Sequence, residues 1–502
     1  METIEGRALP GTPAGYHVGY TARAMPLFLL LACKEPITDV ITTEDGSVTL
    51  TLFNPTSCGS CDPFEGVEDL RIDVVVEGVV VDAATFSWPS ESLTLPALDG
   101  FGVVQVQLRG LTAGAVVSFG QTPELVIGPG LALDLPVTFL PINRALPLTL
   151  PLAAGRRRHG SIAQRDGRTM LFGGMARSGE PIDAVEYYDP KDGSFTLAEF
   201  VLPAAVADTR VAEVPGTGER FLLGGVGSLA DGVEVASTAL IEFVEELGTI
   251  ESIEPLGAAR REHCVSAFGD AQIIAFGGHQ TDSSKGEFLR YDAVDDAWNL
   301  STLELSDFDD RKVSGCIPLA DGRTFVQGSV VTSTGIWAFT AASAGILDPS
   351  AAFLPTPAED PGSGAAFVVG PSMVALADGD AWVGGGIDPR TGQAAATARE
   401  FRAATMRFDP ADAQPDSRSW GVLRPIDDKG TVVWGCGWRD LAREQGVSSV
   451  EVFNVETGSV GGRIELVDSR SGCDVAVLPD GAVLVTGGGA GPSAEIVVPY
   501  QQ

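Results

Sequence analysis

Met170-Leu171-Phe172-Gly173-Gly174 is an apolar run ending in a glycine pair, and the chain returns to it again and again. Near copies are Phe221-Leu222-Leu223-Gly224-Gly225 and Ile274-Ala275-Phe276-Gly277-Gly278. Weaker ones are Phe325-Val326-Gln327-Gly328, Trp382-Val383-Gly384-Gly385, Val433-Trp434-Gly435-Cys436-Gly437 and Leu484-Val485-Thr486-Gly487-Gly488. The marked positions 173, 224, 277, 327, 384, 435 and 487 step by 51, 53, 50, 57, 51 and 52 residues. A period near fifty predicts a closed array in which each repeat is one small sheet.

Other parts keep the same register. An apolar strand and an Asp-Gly turn precede several pairs, at Asp166-Gly167, Asp321-Gly322, Asp378-Gly379 and Asp480-Gly481. A third strand follows, as in Val185–Asp189, Leu289–Asp292 and Val450–Asn454, and a fourth carries Phe195 or Trp298 seven residues beyond a Tyr. The glycine pair, the Tyr and the spaced aromatic resemble the kelch motif, most closely in repeats one and three. That resemblance implies a seven-bladed kelch-type β-propeller of the galactose oxidase-like kind over residues 145–502. Glycine suits the point where a blade's second strand turns sharply beside its neighbour. The glycine runs at 384–386 and 487–491 lack the following helix and lysine of a phosphate loop. The last repeat lacks a fourth strand, and the orphan segment Ala145–Leu152 is expected to supply it, closing the ring and hiding its edges.

Composition agrees with an all-β chain. Its 502 residues exceed one compact core, and 61 Gly and 32 Pro spread along it fit many short strands joined by tight turns. Residues 45–142 alternate on a period of two, as at Val48, Leu50, Leu52 and at Leu70, Ile72, Val74, Val76. This predicts a small β-sandwich, immunoglobulin-like in general form, that serves as a spacer. The formal net charge of −34 opposes nucleic-acid binding, which requires neutralised phosphates.

Residues 25–32, Met-Pro-Leu-Phe-Leu-Leu-Leu-Ala, precede Cys33. The run is too short to span a bilayer but fits a signal-peptide core. Leu30-Leu31-Ala32-Cys33 resembles the lipobox of bacterial lipoproteins, which implies a signal over 1–33, lipidation at Cys33 and a tether over 34–44. Lys34 after the cysteine points to the outer membrane or cell surface, with membrane contact through the lipid anchor only. An ordinary buried strand is the competing reading of the same run. Six further cysteines, Cys58, Cys61, Cys264, Cys316, Cys436 and Cys473, suit an oxidising compartment. A local Cys58–Cys61 bridge is expected. Cys264–Cys316 and Cys436–Cys473 are candidates between neighbouring blades, with the connectivity left open.

An arginine recurs 14 to 17 residues ahead of the glycine marks, at Arg158, Arg210, Arg261, Arg311, Arg418 and Arg470, but not in repeat five. If these converge on one rim, they form a positive patch suited to carboxylates or phosphates; kelch propellers often bind acidic peptides at this mouth. Alternatively each pairs with an acidic neighbour in the adjacent blade. Catalysis has little support: His159 and His263 lack the Tyr–Cys pair of the galactose oxidase copper site, and no hydrolase or calcium motif occurs. The reading is therefore a monomeric, non-enzymatic envelope protein without cofactor or metal. It binds an unknown protein or acidic ligand at the rim. A carboxylate-based glycosidase or mutarotase is the alternative, since paired carboxylates leave no local signature.

Overall fold

Short runs of Val, Ile, Leu and Phe, cut by Asp-Gly turns, form antiparallel strands, and no helix occurs among the described residues. A computed structural model describes residues 27–28 and 37–500, less 44–45, 57–60, 90–91, 94–101, 128–131 and 165. Also outside the description are 215–218, 231–232, 245–248, 253–254, 258, 262, 268–271, 278–284, 293–296, 305–310, 332–336, 339–343, 348–352, 356–367, 389–390, 396–397 and 441. Cys33 and Cys58 therefore lie outside the described residues.

Among the described residues, seven sheets share one inner-to-outer path of four strands. In the first blade the path runs through Gly160–Ala163, Thr169–Phe172, Ala184–Asp189 and Ser194–Val201. The innermost strands of the remaining six are Arg210–Glu213, Cys264–Ala267, Arg311–Pro318, Ser372–Ala375, Val422–Pro425 and Asp474–Val477. From Cys264–Ala267 onward each packs on its predecessor, and Asp474–Val477 packs back on Gly160–Ala163. Blades one and two meet through Phe172, Val206, Leu222 and Ile241. This is a β-propeller. The spaced aromatics of the repeat are cross-strand partners, Tyr188 with Phe195 at 5.0 Å between ring centres. Tyr291 and Trp298 occupy the same register positions in blade three.

The last blade is completed from the other end of the repeat region: Ala145–Pro147 pairs antiparallel with Ala494–Val497 outside Val483–Thr486. Before it stands a sandwich. A three-stranded sheet of Ile37–Thr43, Gly46–Phe53 and Ala132–Thr138 packs through Leu50, Leu52 and Val137 on Leu70, Ile72, Val106 and Leu108 of a six-stranded one. Residues 37–43, expected to be tether, are its edge strand, paired from Ile37↔Leu52 to Thr43↔Gly46. Their Ile, Val and Thr content favours a pleated strand over an extended linker. Leu27–Phe28 pairs with Ser92–Leu93. The sandwich packs on the last and first blades: Phe119 and Leu140 share one core with Leu146, Leu171, Leu478 and Ile496. Asn143 and Tyr500 exchange two hydrogen bonds of 2.9 and 2.8 Å.

Candidate functional site

In blades one, two, five and seven the glycine pair decides where the blade meets the next. Gly173, Gly385 and Gly487 have φ of 59°, 66° and 66°, and a Cβ there would run into the carbonyl oxygens of Val206, Arg418 and Arg156 in the next blade. The N–H of the following glycine donates to that same carbonyl, at 2.7 to 2.9 Å. So at these four junctions the residue that leads into the next blade is fixed by its neighbour's glycines.

The fixed positions are Arg156, Val206, Arg260 and Arg418; Val368 and Arg470 hold the same place in their repeats, and all six side chains are buried. Arg418 and Arg470, expected at the rim, instead turn into their own blades. Arg470 donates to Glu495 at 2.8 Å, to the Gly487 carbonyl at 2.7 Å and to that of Ser493 at 3.0 Å. Arg418 pairs with Glu451 and donates to the Ser449 carbonyl at 2.9 Å. Arg156 repeats the pattern with Glu186 and the carbonyls of Gly173 and Ala184. Desolvation, only partly offset by Glu451, brings the Arg418 guanidinium down to about 10. The true register mates of Arg418 in blades one and three are Arg156 and Arg260, so Arg158 and Arg261 are two and one positions off it. Arg210 is exposed, inside the first strand of blade two. Arg311 opens the first strand of blade four, and its side chain lies outside the description. The six arginines therefore do not form one convergent rim.

Two residues after five of these six positions, the backbone enters the left-handed region. Arg158, Asp208 and Trp420 have φ of 56°, 51° and 48°, and the same place holds Gly370 and Gly472 at 66° and 68°. Each of these residues bonds to its counterpart next door: Arg158 N–H to Gly472 O at 2.6 Å, Asp208 N–H to Arg158 O at 2.9 Å, Trp420 N–H to Gly370 O at 2.7 Å. Where the geometry admits glycine, a retained side chain carries a strain that needs a return elsewhere. Here the return is a cluster at the channel mouth. Arg158 Nε reaches Asp208 Oδ2 at 2.8 Å. Arg443, from the long loop after the second strand of blade six, lies 3.8 Å from that same oxygen. Its guanidinium stacks 4.1 Å above the Trp420 ring and 5.5 Å from Trp438. The Trp438 indole donates to Ser471 Oγ at 2.8 Å.

The loop's base is a disulfide, Cys436–Cys473, joining blades six and seven, and a second, Cys264–Cys316, joins blades three and four. Cys61 is buried and disulfide-bonded. His159 and His263 are wedges between blades. His159 bonds Thr486 Oγ1 at 2.8 Å, and burial with the charges of Arg156 and Arg470 holds it well below the usual imidazole range. His263 packs beside Gly224 and is lowered likewise, by burial and then by Arg210 and Arg260. No three His, Cys, Asp or Glu converge as metal ligands among the described residues. A second concavity, a cleft of about 1350 Å³ between the sandwich and the propeller, presents Gln105, Gln107 and Gln121. Their amides are engaged with one another, at 3.1 and 3.2 Å.

No family model matches the chain, and no curated protein does. Among solved structures it is similar to a fungal alcohol oxidase of the AA5 family, in complex with copper. The TM-score is 0.50 at 12% identity, over 70% of this chain and 75% of that one. That enzyme has a kelch-type β-propeller, so the likeness supports the fold alone.

Proposed function

We propose that the chain is a binding module rather than an enzyme, taking a carboxylate-bearing partner at the propeller mouth. The observation that carries this reading is Arg443 laid against Trp420 and Trp438 beside Arg158. A guanidinium backed by indole faces is held planar and is suited to forked recognition of carboxylates. The overall charge of −34 would oppose an acidic partner at long range. Screening over about 8 Å at physiological salt leaves the local cations in control at contact. The chemistry of the copper oxidase does not carry over. Among the described residues no metal-ligand group forms: His159 and His263 wedge separate blade junctions and Tyr188 is packed on Phe195. Export with a lipid anchor at Cys33, holding the propeller outside the cytoplasmic membrane, belongs to the same proposal and is supported by the two interblade disulfides.

One observation favours an enzyme. Asp474, on the innermost strand of blade seven, is buried with Oδ2 unbonded, and desolvation raises its carboxyl above the usual range despite Arg424 and Ser161. A carbohydrate-active site needs a second carboxylate opposite it. Titrating the chain with acidic peptides and with oligosaccharides, following tryptophan fluorescence and product formation together, separates the two. Binding without turnover, lost in Arg443→Ala, supports the module. Sugar turnover abolished in Asp474→Asn supports the enzyme.

A further inference from the structure

We infer that Asp208 is a built-in competitor, occupying the place where a partner's carboxylate binds. The inference rests on the mouth being a carboxylate site, as proposed above, and adds how that site is controlled. Arg158 and Arg443 come from blades one and six, which are not neighbours, yet both address one oxygen, Asp208 Oδ2. Arg443 reaches it by passing the lead-in loop of blade seven, where Trp438 is held by Ser471. The carboxylate thus does from inside what a ligand would do from outside: it gives two desolvated guanidinium groups an anion to face.

The exposures point the same way. The Arg158 and Arg443 side chains are 9% and 18% accessible, Asp208 25%, so solvent reaches the carboxylate more readily than the cations. The fit is also unequal. Arg158 makes a hydrogen bond of 2.8 Å, whereas Arg443 stands off at 3.8 Å, close enough for attraction but beyond a good hydrogen bond. A ligand carboxylate entering between them displaces a contact that is tight on one side only. Asp208 is not required by the backbone. Its left-handed position, with φ of 51°, is glycine in blades five and seven.

A tethered competitor lowers apparent affinity through its effective concentration, and removing it restores the intrinsic value. The test is calorimetric titration of the full chain with hexaglutamate at low salt, for wild type, Asp208→Asn and Asp208→Gly. Asn keeps the shape without the charge. Gly suits the φ, so a folded variant is in hand even if Asn destabilises the loop. Both variants are expected to bind about tenfold tighter than wild type, and adding Arg443→Gln is expected to erase the gain. Wild type binding with no gain in either variant would falsify the competitor role while leaving the mouth a carboxylate site. No binding by any of the three overturns the mouth reading, and this inference with it.

Discussion

At the scale of residues, the most informative comparison is between blades of one molecule. Blade seven buries Arg470 against Glu495, and blade six buries Arg418 against Glu451. Blade two fills the equivalent places with Val206 and Ile241, which share one apolar core. A buried ion pair and a packed apolar pair are known to be interchangeable in stability, whereas half a pair is costly. Arg470→Ala should therefore lower stability by about 3–5 kcal/mol, while Arg470→Met with Glu495→Leu should recover most of the loss; denaturant midpoints decide it. Asp474 gives a pH-dependent counterpart. Its folded carboxyl titrates above the unfolded one because burial disfavours the charge, so its contribution becomes less favourable as pH rises from the unfolded value through the folded one. Melting curves should show Asp474→Asn gaining on wild type between pH 4 and neutrality. The arginine register was the part of the site that counting residues misread. Spacing from the glycines locates a stretch of chain, but the residue whose side chain turns inward is the one whose own carbonyl meets the neighbouring blade's glycines. Arg156 stands two residues before Arg158 and is the one buried.

Among elements, the loop from Cys436 to Val447 departs from the repeat. In blades one, five and seven a glycine sits where the next blade's carbonyl presses; blade six has Cys436 there, with φ of 61° and a bond to Cys473. The loop thus starts from a pinned base and carries Trp438 and Arg443 over the mouth. The bridges enclose 37 and 52 residues, worth about 4 kcal/mol each on a chain-entropy view. Cys436→Ser with Cys473→Ser should lower the melting temperature and weaken hexaglutamate binding. Cys264→Ser with Cys316→Ser should lower the melting temperature alone. The strands were legible in the sequence because each glycine answers a steric demand that recurs every fifty residues. The mouth was not, because Trp438 and Arg443 lie in the long loop of blade six and Trp420 fills a recurring position that other blades give to Gly, Arg or Asp. Three tryptophans within nineteen residues, Trp420, Trp434 and Trp438, in a protein with seven, were the available signal. The strand at 37–43 was hidden because its apolar residues, Ile37, Val40 and Ile41, do not keep the period of two that marks the rest of the sandwich.

For the whole molecule, the sandwich and propeller form one body through the core around Phe119, Leu140, Leu146 and Ile496. The segment joining them also supplies the outermost strand of the last blade. Leu146 pairs with Ile496, so the ring cannot shut until nearly the whole chain exists. Loop closure over that distance costs little more than over a short one, since the penalty grows with the logarithm of length. The hazard lies in partner choice. While the outer edge of blade seven stands open, the Ala145–Pro147 strand of a second molecule fits it as well as its own. Two chains could then trade these strands, each sandwich riding on the other's ring, a reciprocal dimer that buries the same contacts as two monomers. Refolding from denaturant at rising protein concentration should trap such dimers on size-exclusion chromatography, and they should persist on dilution. A chain linked covalently from Ala145 to Val497 should give monomer at every concentration.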